Sequence, residues 1–221
     1  MTLSMRLKLP EHLAELAEVT RGFMPYDEGE TLAYFAHKAF LDTKTNNQLG
    51  TAVEIGTYCG LSTLYLGYAA QLADALLATV DHHYGSIENS KGWPHHDSQL
   101  IDPQTNQLDT LYRFRRTLAL SGLSQNIVTI VGNSVTASKI LTAPVDIVFI
   151  DGGHSHEVAW NDYYAWANRV RHGGILMIHD VFPDPNDGGR PPYEIYQEAL
   201  TNSFTEVHTQ GSLKILRRDS R

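Results

Sequence analysis

Val145-Asp146-Ile147-Val148-Phe149-Ile150 runs into Asp151-Gly152-Gly153-His154, and Gly174-Ile175-Leu176-Met177-Ile178 runs into His179-Asp180. Each is a short apolar run bounded by turn residues, the pattern of a parallel strand covered on both faces. Ligands of an open α/β sheet bind beyond the carboxyl ends of such strands. If the two strands are neighbours, two Asp and two His meet at one place. That set suits a divalent cation beside a general base.

Working outward, the same kind of run recurs. Strands are expected at 52–55, 77–80, 127–131, 146–150 and 175–178, with helices at about 61–72, 108–121, 135–141 and 157–169. This alternation predicts an α/β fold with a doubly wound, mostly parallel, Rossmann-like sheet. Two helices precede it, at about 10–18 and 28–41, with Pro10 near the first turn of its helix. Pro191-Pro192 opens a last helix to about Asn202. Segments 204–208 and 213–216 then read as a closing antiparallel hairpin, which brings the expected sheet to seven strands. With no internal repeat or low-complexity tract, one domain over 1–221 is expected. Positions 82–106 are too long for an αβ connection and hold Tyr84, Trp93, His95, His96 and Asp97. Disordered tracts avoid aromatics, so this segment reads as an ordered lid or substrate loop.

The formal charge of -8, from 17 Lys+Arg against 25 Asp+Glu, argues against a broad nucleic-acid surface. Cys59 is the only cysteine, so no internal disulfide is possible, and its expected role is packing. No stretch suits a bilayer span and the start lacks a signal-peptide core, so a cytoplasmic protein without a membrane partner is expected.

Val53-Glu54-Ile55-Gly56-Thr57-Tyr58-Cys59-Gly60 ends the first strand and opens a helix. Its glycines permit a tight turn, and the helix start offers N–H groups to an anion. The spacing is G-x-x-x-G, so the dinucleotide fingerprint G-x-G-x-x-G is absent. Glu54 before the first Gly and Asp81 after the second strand suit an adenosine-containing ligand, whose ribose hydroxyls a carboxylate can accept. A strand-to-helix turn with a solvated Glu is the bland alternative.

On Glu54-Ile55-Gly56 with Gly60, Asp81, Gly132-Asn133-Ser134, Asp151 and the terminal hairpin, the chain resembles class I S-adenosylmethionine (SAM)-dependent methyltransferases from about position 22 to 218. The resemblance implies SAM as cofactor. It places Glu54, Gly56, Tyr58, Ser62 and Thr63 near the methionine part, Asp81 at the ribose, and Asn133 and Ser134 at the adenine, with His82 stacking near the adenosine. Phe23-Met24-Pro25 and Glu28 resemble the segment covering the methionine end, which adds Met24 and Glu28.

The second half is similar to metal-dependent sugar O-methyltransferases, including those acting on macrolide deoxysugars. It also looks, more loosely, like the enzymes that methylate mannosides for methylmannose polysaccharides. There an Asp follows strand four, a His lies three residues on, and an acidic pair follows strand five. Asp151, His154 and His179-Asp180 fill these places, with His179 departing from the expected carboxylate. The resemblance implies a cation, Mg²⁺ first, held by Asp151, His179 and Asp180, with Asp151 also beside the cofactor and His154 as base. Histidine ligation equally admits Mn²⁺, Fe²⁺ or Co²⁺, and His179 could instead support a ligand from behind.

A hard cation can lower the pKa of an aliphatic hydroxyl while a histidine takes its proton. Four alternatives stay open: a catechol, phenol or other small natural product as acceptor; a non-catalytic SAM-binding module; a metal-dependent hydrolase; and Arg190 and Tyr193 as acceptor contacts or, for Arg190, a partner of a local Asp. Val181 after Asp180, where catechol-type enzymes carry Asn, weighs against a catechol. His95-His96 and the surface residues His156 and His172 carry no assigned role. Most of Trp160, Tyr163, Tyr164 and Trp166 are expected in the core. A homodimer whose N-terminal helices help close a neighbour's site is a further expectation.

Overall fold

The computed structural model describes residues 5–46, 48–93 and 95–220. Two helices, α1 (Glu11–Val19) and α2 (Tyr26–Lys44), precede β1 (Thr51–Ile55), α3 (Leu61–Ala73) and β2 (Leu76–Asp81). After a long connection come α4 (Leu111–Ser121), β3 (Ile127–Val131), α5 (Ser134–Ser138), β4 (Val145–Ile150), α6 (His156–Trp166) and β5 (Val170–Ile178). The chain closes with α7 (Arg190–Thr201), β6 (Phe204–Gln210) and β7 (Leu213–Arg218).

The seven strands lie in the order β3-β2-β1-β4-β5-β7-β6. The first five are parallel, and β7 runs antiparallel between β5 and β6. The Rossmann-like sheet expected from the sequence is therefore present, with its terminal hairpin inserted. Helices cover both faces, as buried runs such as β4 require. One core packs α1, α2 and α3 on the sheet around Phe40, Leu66 and Phe149. The other packs α6 and α7 on the opposite face around Val148, Trp166 and Ile195. Of the four aromatics on α6, Tyr163 and Trp166 are buried, while Tyr164 is exposed and Trp160 half-buried. No helix among the described residues is long and apolar enough to cross a membrane.

Several boundaries differ from expectation. The helix expected from 108 starts at Leu111, because Leu108 bridges back to Ile101 and Asp109 accepts the Leu111 N–H. That bridge closes the connection between β2 and α4 on itself. Beneath it Leu100 and Leu108 pack with Cys59, whose thiol burial pushes up to about 12, so Cys59 is a packing residue. The helix expected at 135–141 is shorter, since Asn133 caps it and it ends at Ser138. Beyond Trp166 the chain tightens into a 3₁₀ turn at Ala167–Arg169, and β5 starts early where Val170 pairs with Val145.

Candidate active site

β1, β4 and β5 are neighbours, and their carboxyl ends stay in register past the strands. The Asp151 N–H donates to Ile55 and the His179 N–H donates to Ile150. Gly56 makes this possible: its φ is +90°, and a Cβ there would stand 2.1 Å from the Asp151 carbonyl oxygen. The two Asp and two His quoted from the sequence are thus brought together at one side of a cleft of about 840 Å³.

At the glycine-rich end, Gly60 caps α3 with φ +95° and no side chain closes the helix start, so its first N–H groups face the cleft beside Leu61 and Ser62. Met24, Gly56, Tyr58 and Ser62 line the cleft, while Glu54 and Thr63 do not. Glu54 is fully buried beneath the loop. It accepts from Ser62 Oγ and Thr63 Oγ1, both at 2.6 Å, and burial pushes its carboxyl up to about 7. Its place is to hold the loop and the start of α3 together, a correction to a direct methionine contact. Glu28 is corrected likewise. It lies behind the cleft wall, accepting from the Ser212 N–H at 2.6 Å and from His179.

Asp81 lines the middle of the cleft and accepts three backbone N–H groups. Thr57 and Tyr58 donate to Oδ2 at 2.9 and 2.8 Å, and His83 donates to Oδ1 at 2.7 Å. A carboxylate offers about four acceptor positions, so roughly one remains for a ribose hydroxyl instead of two. Tyr58 reaches Asp81 from a left-handed backbone, φ 49°. His82 is exposed and stacks on Tyr84, with ring centroids 6.0 Å apart. Asn133 and Ser134 line the far end. The Asn133 side chain is partly spent accepting the Thr136 N–H, and Ser134 Oγ donates to Asp162. Asp162 is a cleft residue missed by reading the sequence, though a carboxylate on the apolar face that holds Ala159, Tyr163 and Trp166 was its signal.

At the other end, Asp151, His179 and Asp180 each offer a ligand atom, all within 4.8 Å of one another. Asp180 sits at φ 55°, a left-handed turn that aims its carboxylate at His154 Nε2, 3.2 Å away. Burial works to lower the His154 pKa. The Asp180 hydrogen bond and the charges of Asp180, Glu88 and Asp151 outweigh it, so the pKa is raised. His179 is 3% exposed, with Nε2 at 2.6 Å from Glu28 and Nδ1 at 3.0 Å from Asp151. Burial opposes its charge too, but the Asp151 charge and the bonds to Asp151, Asp180 and Glu28 raise its pKa well above 6.5.

These donors fit a cation. A metal ion among Asp151 and Asp180 can take the place of the proton on His179 Nδ1, while Nε2–H stays on Glu28. That is the carboxylate–histidine–metal arrangement that fixes the ring of a ligating histidine.

Two segments cover the cleft. Arg21 Nε meets Asp97 at 2.6 Å, and Phe23 packs on the His95 ring at 4.4 Å and on Tyr58 at 5.5 Å. The N-terminal segment and the long connection are thereby clasped over the glycine-rich loop. Farther along the connection, Glu88 accepts the His154 N–H at 3.0 Å, a contact without a sequence signal. His96 is spent on the Asn89 carbonyl. Among the described residues Arg190 pairs with no Asp: it donates to the Pro183 carbonyl and lies over Tyr193 at 4.2 Å. Neither Arg190 nor Tyr193 lines the cleft; Phe182, Asp187, Gly188 and Gly189 do.

A family model described as a methyltransferase domain matches residues 53–181. Similar folds occur in the O-methyltransferase TomG from Streptomyces achromogenes, solved with SAM. That comparison has 19% identity, covers 97% of this chain and 92% of that one, and has a TM-score of 0.63. An O-methyltransferase from Bacillus cereus, solved with S-adenosylhomocysteine, has 14% identity, 96% and 92% coverage and a TM-score of 0.63. The methyltransferase PaMTH1 from Podospora anserina, also with S-adenosylhomocysteine, has 15% identity, 96% and 89% coverage and a TM-score of 0.62.

Proposed function

The chain belongs to the methyltransferase-domain family, and from that premise we propose that it is a SAM-dependent O-methyltransferase acting on a sugar or oligosaccharide hydroxyl with the help of a divalent cation. The observation that carries the reading is His154 Nε2 at 3.2 Å from Asp180, beside a three-donor set, in the same cleft as the glycine-rich loop.

SAM supplies an electrophilic methyl group that leaves a neutral thioether, so no acid catalyst is needed. Asp151, Asp180 and His179 would hold the cation, which as a Lewis acid would lower the pKa of an aliphatic hydroxyl. His154 keeps its Nε2–H on Asp180 and receives the hydroxyl proton at Nδ1, the nitrogen on the side of Gly189, and Asp180 steadies the imidazolium that results. The open N–H groups at the start of α3, beside Leu61 and Ser62, receive the carboxylate of the methionine part, while the Ser62 hydroxyl stays on Glu54. The clasped segments around Arg21 and Asp97 keep water from the reacting centre.

Charge favours a neutral polyol as acceptor. Glu88, Glu157 and Asp187 stand along the cleft, and Arg21 is its only Lys or Arg among the described residues. Such a lining repels a carboxylated or phosphorylated acceptor.

Calorimetric titration of S-adenosylhomocysteine, with and without Mg²⁺ after chelation, tests the cofactor. Methyl transfer from SAM to sugars and to catechols tests the acceptor. Binding together with chelator-sensitive methylation of sugars is the expected result. Absence of binding overturns the methyltransferase reading, and methylation confined to catechols overturns the acceptor.

A further inference from the structure

Asp162 has no part in the chemistry above, yet it is a carboxylate only 4% exposed in the wall of the cleft. Ser134 Oγ donates to its Oδ1. Its Oδ2 takes no hydrogen bond from the described residues. A side chain on Gly152 would press against Oδ2 at 2.8 Å, so the absence of one leaves that oxygen uncovered. Burial pushes the Asp162 carboxyl up to about 6, against the Ser134 bond and the charge of His82, with Asp81 raising it further. A carboxylate on so buried a side chain, with one oxygen bonded to Ser134 and the other open only to the cleft, calls for a donor from the cleft.

The fold says which donor. The methionine part belongs at the start of α3, on the sheet face that carries α2 and α3. Asp162 lies on α6, on the opposite face, joined to the start of α5 by Ser134. Asp81, at the end of β2, takes the ribose. Of the donors SAM carries, the exocyclic amine of its base remains for this end of the cleft.

Resting on the SAM reading above, we infer that Asp162, oriented by Ser134, accepts a hydrogen bond from the 6-amino group of the cofactor's adenine and so selects adenine over hypoxanthine. The deaminated base would set a carbonyl oxygen against the carboxylate. A site built for a donor rejects the analogue lacking it more strongly than a shape-only pocket does.

Titration of the full chain with S-adenosylhomocysteine and with S-inosylhomocysteine tests this by binding alone. The wild type should prefer the adenosyl ligand at least tenfold. Asp162→Asn, whose amide can donate to the hypoxanthine carbonyl, should narrow or reverse that preference, and Asp162→Ala should abolish it. Ser134→Ala, with the carboxylate still present, should retain most of it. If the wild type binds both ligands equally, or Asp162→Ala keeps the full preference, the inference is overturned while the SAM reading stands. If neither ligand binds the wild type, the SAM reading falls and this inference falls with it. A failure of Asp162→Asn to fold leaves the wild-type comparison and Asp162→Ala to decide.

Discussion

Glu28 and His179 stand 151 positions apart in the chain and share a buried hydrogen bond of 2.6 Å. Glu28 also accepts from the Ser212 N–H and Oγ at 2.6 and 3.2 Å, so one carboxylate ties α2, the β6–β7 turn and the end of β5. The turn admits it only because position 211 is glycine, since a Cβ there would meet Glu28 Oε1 at 2.0 Å. His179 is thereby fixed from behind, with its other nitrogen turned toward Asp151 and Asp180.

Glu28→Gln should therefore destabilise the fold and loosen the cation site together. Removing one partner of a buried ion pair costs about 3 kcal/mol or more, on the order of 10 °C in Tm for a chain of this size. The His179 pKa is raised in the folded state. The stability it gives is full below its unfolded pKa and is lost as pH rises through the folded one. The Tm gap between wild type and Glu28→Gln should thus be widest near pH 6 and shrink toward high pH. Melting curves across pH check it, and a gap independent of pH would show that the His179 charge is not involved.

The raised pKa of His154 sets the pH profile of methyl transfer. The base works in its neutral form, so the rising limb of kcat should lie above an ordinary histidine's pKa of about 6.5. His154→Ala should retain S-adenosylhomocysteine binding and lower kcat by on the order of 10²- to 10⁴-fold, the usual worth of a positioned base. Glu88→Gln, which removes one charge near the ring, should move the limb to lower pH. Undiminished turnover in His154→Ala would remove it from the role.

Glu54 yields the opposite kind of prediction, a stabilising substitution. Its folded pKa of about 7 lies above an ordinary glutamate's 4.5, so the folded state binds this proton more tightly than the unfolded one. Its contribution is full below the unfolded pKa and falls as pH rises through about 7. Glu54→Gln keeps the shape, and Ser62 and Thr63 can each turn their hydroxyls to suit an amide. Its stability advantage over wild type should be small at pH 5 and reach about 3 kcal/mol at most by pH 8. Chemical denaturation at the two pH values measures it, and an advantage unchanged between them would mean that Glu54 does not titrate in the fold.

The sequence by itself determined the sheet. Runs such as Val145–Ile150 are apolar on both faces, and burying such a run requires neighbours on both sides and helices above and below. The same local pattern placed Asp151, His154, His179 and Asp180 at strand ends, and Gly56 and Gly60 at positive φ. Chemistry that depends on position along one element is readable there because strand ends fix position. The connection from 82 to 106 reads as ordered in the sequence, since disordered tracts avoid aromatics.

Only the tertiary structure decided which carboxylates face the cleft. Glu54 and Asp81 both flank the glycine-rich loop in sequence, yet Glu54 is buried on hydroxyls while Asp81 turns outward onto backbone N–H groups. Glu28 belongs to the wall because a turn 184 positions away supplies its donor. Asp162 belongs to the cleft because Ser134, from another crossover, reaches it. A carboxylate's role is set by what donates to it, and for Glu28 and Asp162 the donors come from segments whose approach no local pattern encodes.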